Sequence, residues 1–413
     1  MCYFETTREC NQDCPGCMTR IDGPVAPPLS TDEAKTLVID EVVKICPTGS
    51  IAFSGGEFLL RPDALDLLAH TAAQGLHSFI NTNGLLLEPG LIGEIKKASW
   101  GRITFGFSLD SVDPDVQSRC RPGGKEDLLR HAALCDEAGV GYFVLVTVSR
   151  ANMDTLAETS EFLRKRGIPM IRSPFVPRGA AAARRDLMFT REDMEKTIHP
   201  VLRANPLAYV SYTPFFAPLG TTRPWISKLG ISLSQLGCQA ARGFVGVSPE
   251  GDVAPCVHLL DSAAVCGNVK RTPLSELFST NPVLCALRES RGLKGRCSQC
   301  RYRMACGGCR SLAFYSSGDC FAEDPTCFFE PSGVNGISKH EDETCRSARL
   351  FIRFVASNSP WRDIFAGDLS GRIGASIVRS AAVVRKIIKP MRGRSKNENT
   401  ADQAEVVRAR RCL

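Results

Sequence analysis

Three cysteines stand within eight positions near the start of the chain, in the stretch ETTRECNQDCPGCMTR at residues 5–20. Cys10, Cys14 and Cys17 are too few to close a structural zinc site, which takes four ligands. Three thiolates can instead hold three irons of a cubane iron–sulfur cluster and leave the fourth iron open to a substrate or cofactor. From these cysteines alone, the alternative is a zinc site that a distant His or Cys completes.

A second, denser group of cysteines lies in the C-terminal half of the chain. It consists of a C-x2-C-x5-C-x2-C run with two cysteines upstream and one downstream: Cys297, Cys300, Cys306, Cys309, Cys238, Cys256 and Cys327. Thiolates suit zinc and iron–sulfur centres alike. The close spacing therefore indicates metal binding and leaves the choice of metal open.

The composition places these cysteines in a large globular chain of 413 residues, 43% of them hydrophobic and 23% charged. We find no secretory signal and no apolar run of about 18 residues, so neither export nor a membrane-spanning helix is expected. In such a chain 19 cysteines indicate metal ligands rather than disulfides. We therefore expect a protein of the reducing cytoplasm.

Strand-like and helix-like segments alternate from residue 3 to about 178, which predicts a parallel sheet with helical crossovers. The predicted strands are CYFE, IAFS, HSFIN, RITFGFSL, YFVLVTV and IPMIR. A closed TIM barrel has eight such units, and six favour an open, partial (β/α)6 barrel. Cys10, Cys14 and Cys17 directly follow the first strand, at the end of the barrel where catalytic groups lie.

The chain divides into four predicted parts: a barrel at 1–200, a linker at 201–235, a cysteine-rich domain at 236–335 and a tail at 336–413. Residues 346–413 contain 15 Lys or Arg against 5 Asp or Glu. Apolar residues recur there at helical spacing, which predicts a basic amphipathic helix. Such a helix can pack on its own domain, contact an anionic membrane peripherally or bind an acidic partner. The sequence favours no nucleic-acid partner.

The cysteine spacing after a first strand, followed by SGGE at the end of the second, resembles the radical S-adenosylmethionine (SAM) enzymes. The resemblance implies a 4Fe-4S cluster on Cys10, Cys14 and Cys17, with SAM chelating the open iron. It implies reductive cleavage of SAM to a 5′-deoxyadenosyl radical, which abstracts hydrogen from the substrate. Gly16 departs from the family, which usually has an aromatic residue before the third cysteine.

By the same resemblance, polar residues at the strand ends contact SAM. Glycines allow close approach of the backbone to a ligand, since they lack a Cβ. Glu57 is expected near the amino group of SAM, and an arginine near its carboxylate. The predicted contacts are Gly55, Gly56, Glu57, Thr82, Asn83, Ser108, Asp110 and Arg121.

The second cysteine group resembles the SPASM extension of radical SAM enzymes, which carries auxiliary iron–sulfur clusters. That resemblance assigns an outer cluster to Cys297, Cys300, Cys306 and Cys327. It assigns an inner cluster to Cys238, Cys256 and Cys309. The inner set has only three ligands, so an open iron, Cys266 or His258 are alternatives for the fourth position. One or two auxiliary clusters are expected, and the pattern is closest to heme-maturation and mycofactocin-maturase-like enzymes.

The resemblance implies an oxidoreductase that oxidatively modifies a peptide or protein side chain, with a tetrapyrrole side chain of the heme pathway as the alternative. A peptide substrate would need a separate leader-binding protein, because the barrel begins by residue 3. A flavodoxin-like or ferredoxin-like protein is the expected reductant. The rival from another class is a zinc-binding scaffold, which leaves SGGE and the polar strand ends unexplained.

Overall fold

The structure, a computed structural model, describes residues 1–21, 25–204, 237–300, 303–304 and 306–330. All six predicted strands are present and pair in parallel in chain order. They are β1 Cys2–Glu5, β2 Ser50–Ser54, β3 His77–Thr82, β4 Ile103–Ser108, β5 Gly141–Val148 and β6 Met170–Pro174. The predicted partial barrel is confirmed. The predicted tail and almost all of the predicted linker lie outside the described residues.

Helices cross over between the strands. They are α1, in the consecutive segments Thr31–Glu33, Ala34–Ile39 and Asp40–Ile45, then α2 Ala64–Ala73, α3 Pro89–Ala98, α4 Pro114–Cys120, α5 Lys125–Ala138, α6 Leu156–Lys165 and α7, in the segments Arg191–Asp193, Met194–Ile198 and His199–Ala204. Ser30 caps α1 in a capping box with Glu33. The middle segment of α1 is a π-helix, which the apolar spacing does not predict.

The C-terminal domain continues the barrel sheet, which the sequence does not predict. Strand β7 (Val245–Val247) pairs in parallel with β1, and β8 (Asp252–Ala254) and β9 (Gly267–Asn268) follow in antiparallel. The helices of this domain are α8 Leu274–Thr280, α9 Pro282–Arg288, α10 Gly295–Gln299 and α11 Arg310–Ser317. Within the described residues the sheet therefore has nine strands, with β1 at the junction of the two domains.

Alternate side chains of the strands face opposite sides of the sheet. Phe4, Phe53 and Phe105 belong to the main core, in which the helices also take part. Phe79 and Phe143 belong to a smaller apolar cluster on the inner side of the barrel. Among the described residues, no helix has the length and apolar character that crossing a membrane requires.

His77, at the start of β3, gives the fold a predicted sensitivity to acid. Its Nε2 lies 2.9 Å from Thr104 Oγ1, and burial lowers the pKa of its imidazole from 6.5 to about 4. Between these two pKa values the imidazole is protonated in the unfolded chain and neutral in the folded chain. The free energy of unfolding therefore decreases as the pH falls from 6.5 towards 4.

For the His77→Gln variant we expect the loss of unfolding free energy between about pH 7 and pH 5 to be about 2 kcal/mol smaller than in the wild type. Anaerobic urea unfolding at several pH values measures it. The same substitution at His70, on α2, is the matched control. Equal pH dependence in wild type and His77→Gln would contradict the prediction.

Candidate radical-forming site

The three cysteines near the N-terminus lie on the loop that follows β1. Cys10 is exposed, and Cys14 and Cys17 are half-buried. The charge of Cys14 interacts with those of both other thiols, so the three share one small region. Burial raises the pKa of Cys14 to about 11, and the neighbouring Arg121 opposes this rise. The loop thus presents three sulfur donors with an adjacent cation.

These thiols do not converge on one point. In the described part of the chain, no three His, Cys, Asp or Glu side chains are placed to hold a single metal ion. A cubane cluster makes a different demand, because each of its cysteines binds a separate iron. Three neighbouring thiols on one short loop fit such a cluster and leave one iron for another ligand.

The glycines after β2 contact the cysteine loop through the backbone. The Gly56 N–H donates to the Thr7 carbonyl at 2.8 Å, and the Glu57 N–H donates to the Glu9 carbonyl at 2.7 Å. A Cβ on Gly56 would lie 1.9 Å from the Glu9 oxygen. Gly55 has φ +130°, and a Cβ there would lie 2.5 Å from the Thr7 oxygen. Both positions therefore require glycine, because a side chain would displace the cysteine loop. The sequence does not reveal this role.

The Gly56→Ala variant should displace the cysteine loop, because its methyl group would collide with the Glu9 carbonyl. We expect lower iron content and lower thermal stability, measured by iron analysis and calorimetry under anaerobic conditions. Gly93→Ala is the control, since no atom lies within 4 Å of its added Cβ, in the interior of α3. There we expect unchanged iron and a gain of up to about 1 kcal/mol. Full iron loading of Gly56→Ala would contradict the prediction.

Glu57 is buried at the edge of the barrel, and three donors bind its carboxylate. Its Oε2 accepts from the Thr82 hydroxyl at 3.0 Å and the Asn83 N–H at 2.9 Å, and its Oε1 accepts from the Leu59 N–H at 3.1 Å. Burial raises the pKa of Glu57, although these hydrogen bonds oppose the rise. A carboxylate has about four acceptor positions, so these three bonds leave room for a further donor.

Asn83 links this carboxylate to the cysteine loop. Its Nδ2 donates to Asn11 Oδ1 at 2.7 Å and lies 3.9 Å from the Cys10 sulfur. The predicted contacts after β2 and β3 therefore meet the cysteines, as the parallel sheet requires.

Asp110 and Arg121 form an ion pair beside the same loop. Arg121 Nε donates to Asp110 Oδ2 at 2.6 Å, and the other carboxylate oxygen accepts from the Thr147 N–H at 2.7 Å. Asp110 is buried, whereas the side chain of Arg121 is 21% exposed. The carboxylate thus orients a guanidinium that still has donors to offer a ligand.

A cavity of about 400 Å³ opens next to these residues. Asn83, Ser108 and Arg121 of the predicted set line it, as do Asn11 and His131. The sequence does not indicate a role for His131, because a lone histidine on a helix carries no local signal. The cavity brings residues from four parts of the chain to one place beside the cysteine loop.

Gly16 has no side chain, and the ring of Phe175 lies beside it. A Cβ on Gly16 would lie 3.6 Å from the ring of Phe175, which is buried directly after β6. An aromatic ring therefore lies beside the third cysteine although Gly16 itself has no side chain. No motif signals this, because Phe175 is distant in sequence.

The cysteines of the C-terminal domain fall into two groups by their electrostatic interactions. Cys238 interacts with Cys256 and with Cys309. Cys306 interacts with both Cys297 and Cys327. These interactions agree with the two ligand sets that the resemblance implies. The two sets adjoin, because the Cys238 N–H donates to the Cys306 carbonyl at 2.8 Å. Cys300, the remaining member of the outer set, directly follows α10.

Two residues are candidates for the fourth ligand of the inner auxiliary cluster, Cys266 and His258, and they lie in different places. Cys266 interacts with Cys320, and burial raises the Cys266 pKa to about 12. His258 Nδ1 lies 3.8 Å from the Cys256 sulfur, and its Nε2 lies 3.2 Å from Ser173 Oγ on β6. Burial lowers the pKa of His258 to about 4. Of the two, His258 is the one that the structure places beside a member of the inner set.

Residues 4–163 match the model of the radical SAM superfamily, and residues 238–301 match that of the SPASM iron–sulfur cluster-binding domain. The chain carries a radical SAM domain and a SPASM domain. It is an enzyme whose cofactors are a 4Fe-4S cluster, SAM and auxiliary iron–sulfur clusters.

The relatives confirm the predicted subgroup. An AdoMet-dependent heme synthase of Methanosarcina barkeri is 29% identical over 79% of this chain and 96% of that protein. A PqqA peptide cyclase of Granulibacter bethesdensis is 27% identical over 79% of this chain and 87% of that protein. The mycofactocin maturase MftC of Mycolicibacterium smegmatis is 24% identical over 78% of this chain and 81% of that protein.

Solved structures support the fold. The structure of anSMEcpe with bound AdoMet has a TM-score of 0.57 at 18% sequence identity, and the match covers 92% of this chain and 98% of that one. At this identity the likeness concerns the fold alone.

Proposed function

We propose that Cys10, Cys14 and Cys17 bind the 4Fe-4S cluster that cleaves SAM and that the enzyme abstracts hydrogen from a tetrapyrrole side chain. The observation that carries the first part is the grouping of three thiols on one loop, next to an ion-paired guanidinium and a cavity. When bound, the cluster and SAM together supply the 5′-deoxyadenosyl radical. The protein contributes the position of the reacting groups and a site from which water is excluded.

The residues at the strand ends would hold SAM. Glu57 accepts from the amino group through its remaining acceptor positions, and Arg121 donates to the carboxylate while Asp110 orients it. Ser108 and Asn83 face the same cavity and offer hydrogen bonds to the methionine or ribose. The remaining proposed contacts are Gly55, Gly56 and Thr82.

We assign Cys297, Cys300, Cys306 and Cys327 to the outer auxiliary cluster. Cys238, Cys256 and Cys309 are assigned to the inner one, with an open iron, His258 or Cys266 at its fourth position. The electrostatic grouping of the thiols supports this division. Held by these residues, the auxiliary clusters would supply an acceptor for the electron of the substrate radical, and the net reaction would be oxidative.

The relatives support the choice of substrate. The heme synthase matches over almost its whole length, so we place a tetrapyrrole first. A peptide is the second candidate, favoured by the PqqA peptide cyclase and MftC, and it would require a separate leader-binding protein. We further propose a flavodoxin-like or ferredoxin-like reductant and action in the cytoplasm. Peripheral membrane contact through residues 336–413 concerns residues outside those described.

Formation of 5′-deoxyadenosine tests the central proposal. Anaerobic protein is incubated with SAM and dithionite, and the product is measured by mass spectrometry. We expect product from the wild type and none from the Cys10→Ala/Cys14→Ala/Cys17→Ala variant. The double variant Cys46→Ala/Cys285→Ala, which changes cysteines outside the proposed sets, should retain wild-type activity. Zinc in place of iron, without SAM cleavage, would overturn the proposal and restore the scaffold alternative.

Single substitutions test the division of the auxiliary cysteines. Cys238→Ser and Cys327→Ser should each lower the iron content by up to about four atoms per chain, because each removes a ligand from a different cluster. Mössbauer and EPR spectra should show different clusters missing in the two variants. Loss of the same spectral component from both would contradict the division.

The substrate is tested with iron-coproporphyrin III as the tetrapyrrole probe. We expect it to accelerate 5′-deoxyadenosine formation in the wild type and to change in mass. A probe that leaves both unchanged would overturn the tetrapyrrole assignment and move the peptide to first place.

A further inference from the structure

A network of ion pairs joins the barrel to the C-terminal domain directly below the cysteine loop. Arg178, which follows β6, donates from both terminal nitrogens to the Glu5 carboxylate at 2.8 and 2.6 Å. It also donates to Asp261 Oδ2, from Nε at 3.0 Å and from Nη2 at 2.5 Å. One guanidinium therefore binds the end of β1 and a carboxylate of the C-terminal domain.

Arg8 extends the network into the cysteine loop itself, two residues before Cys10. It forms paired hydrogen bonds with Glu250 at 3.1 and 2.9 Å and with Asp261 at 3.0 and 2.7 Å. Asp261 thus receives both arginines. Paired bonds of this kind fix direction as well as distance, since the guanidinium fork matches a carboxylate.

The centre of the network is shielded from water. The side chains of Arg178 and Glu5 are 1% and 0% exposed. Burial alone would lower the pKa of Arg178, but the carboxylates of Glu5 and Asp261 raise it well above the ordinary value. The guanidinium is therefore ionised, and a buried ion pair is held in one geometry by its need for complete hydrogen bonding.

The same guanidinium reaches the segment that contains Cys256. Arg178 Nη1 donates to the Val257 carbonyl at 2.9 Å, and its charge interacts with the thiol of Cys256. Arg178 hence contacts the strand that precedes the cysteine loop and the residue next to a proposed ligand of the inner auxiliary cluster.

We infer that Arg178 is a positioning residue that sets the spacing between the radical-forming site and the inner auxiliary site. The inference rests on the proposed function, because it assumes clusters at Cys10, Cys14 and Cys17 and at Cys238, Cys256 and Cys309. A fixed spacing serves electron transfer from the barrel to the C-terminal domain, and the five side chains of the network supply it.

The test is the distance between the reduced radical-forming cluster and the reduced inner auxiliary cluster. Pulsed dipolar EPR on the full-length, iron-loaded protein measures it. Arg178→Lys keeps the positive charge but loses the planar fork that binds Glu5, Asp261 and Val257 together. We expect a shifted or broader distance distribution at unchanged iron content. Arg185→Lys is the matched control, since Arg185 also joins the two domains, through the Tyr315 carbonyl at 2.6 Å, outside the network.

If Arg178→Lys has the same distribution of cluster–cluster distances as the wild type and Arg185→Lys, the inference is overturned. If Arg178→Lys does not fold, Asp261→Asn decides, because it weakens the C-terminal side of the network and leaves the Arg178–Glu5 pair in place. An unchanged distribution in that variant overturns the inference equally. Absence of iron–sulfur clusters from the wild type would instead overturn the proposed function.

Discussion

The position of the cysteine loop depends on a close backbone contact that leaves no room for a side chain. Gly55 and Gly56 lie so close to the carbonyls of Thr7 and Glu9 that a single methyl group would overlap them. Two backbone hydrogen bonds hold the loop there. The three thiols consequently remain at the edge of the barrel, where the polar ends of β3 and β4 reach them.

Charged groups around this loop are held in place by hydrogen bonds or by ion pairs. The Glu57 carboxylate is bound by three donors, and Asp110 orients Arg121. Below the loop, Arg178 pairs with Glu5 of β1 and with Asp261 of the C-terminal domain. A bound cluster and SAM would bring their own charges into this region, and the ordered donors and acceptors need little reorganisation to receive them.

Much of the fold and of the site can be predicted from the sequence, because local patterns encode it. The six strands and the cysteine spacings are each encoded by a short stretch of chain. The pairing of β7 with β1 is not, since it joins segments more than 200 residues apart. The same holds for the Arg178–Glu5 pair, whose members are 173 positions apart, and for Phe175 beside Gly16. Such contacts depend on the path of the folded chain rather than on any motif.

We propose that three protein thiols hold a cluster whose fourth iron binds SAM. Electron–nuclear double resonance on the reduced protein, with SAM labelled by 15N at its amino group and 17O at its carboxylate, tests this most directly. We expect hyperfine coupling from both labels in the wild type, and its disappearance when Cys10, Cys14 and Cys17 are replaced. A well-loaded cluster that shows no coupling to either label would contradict it.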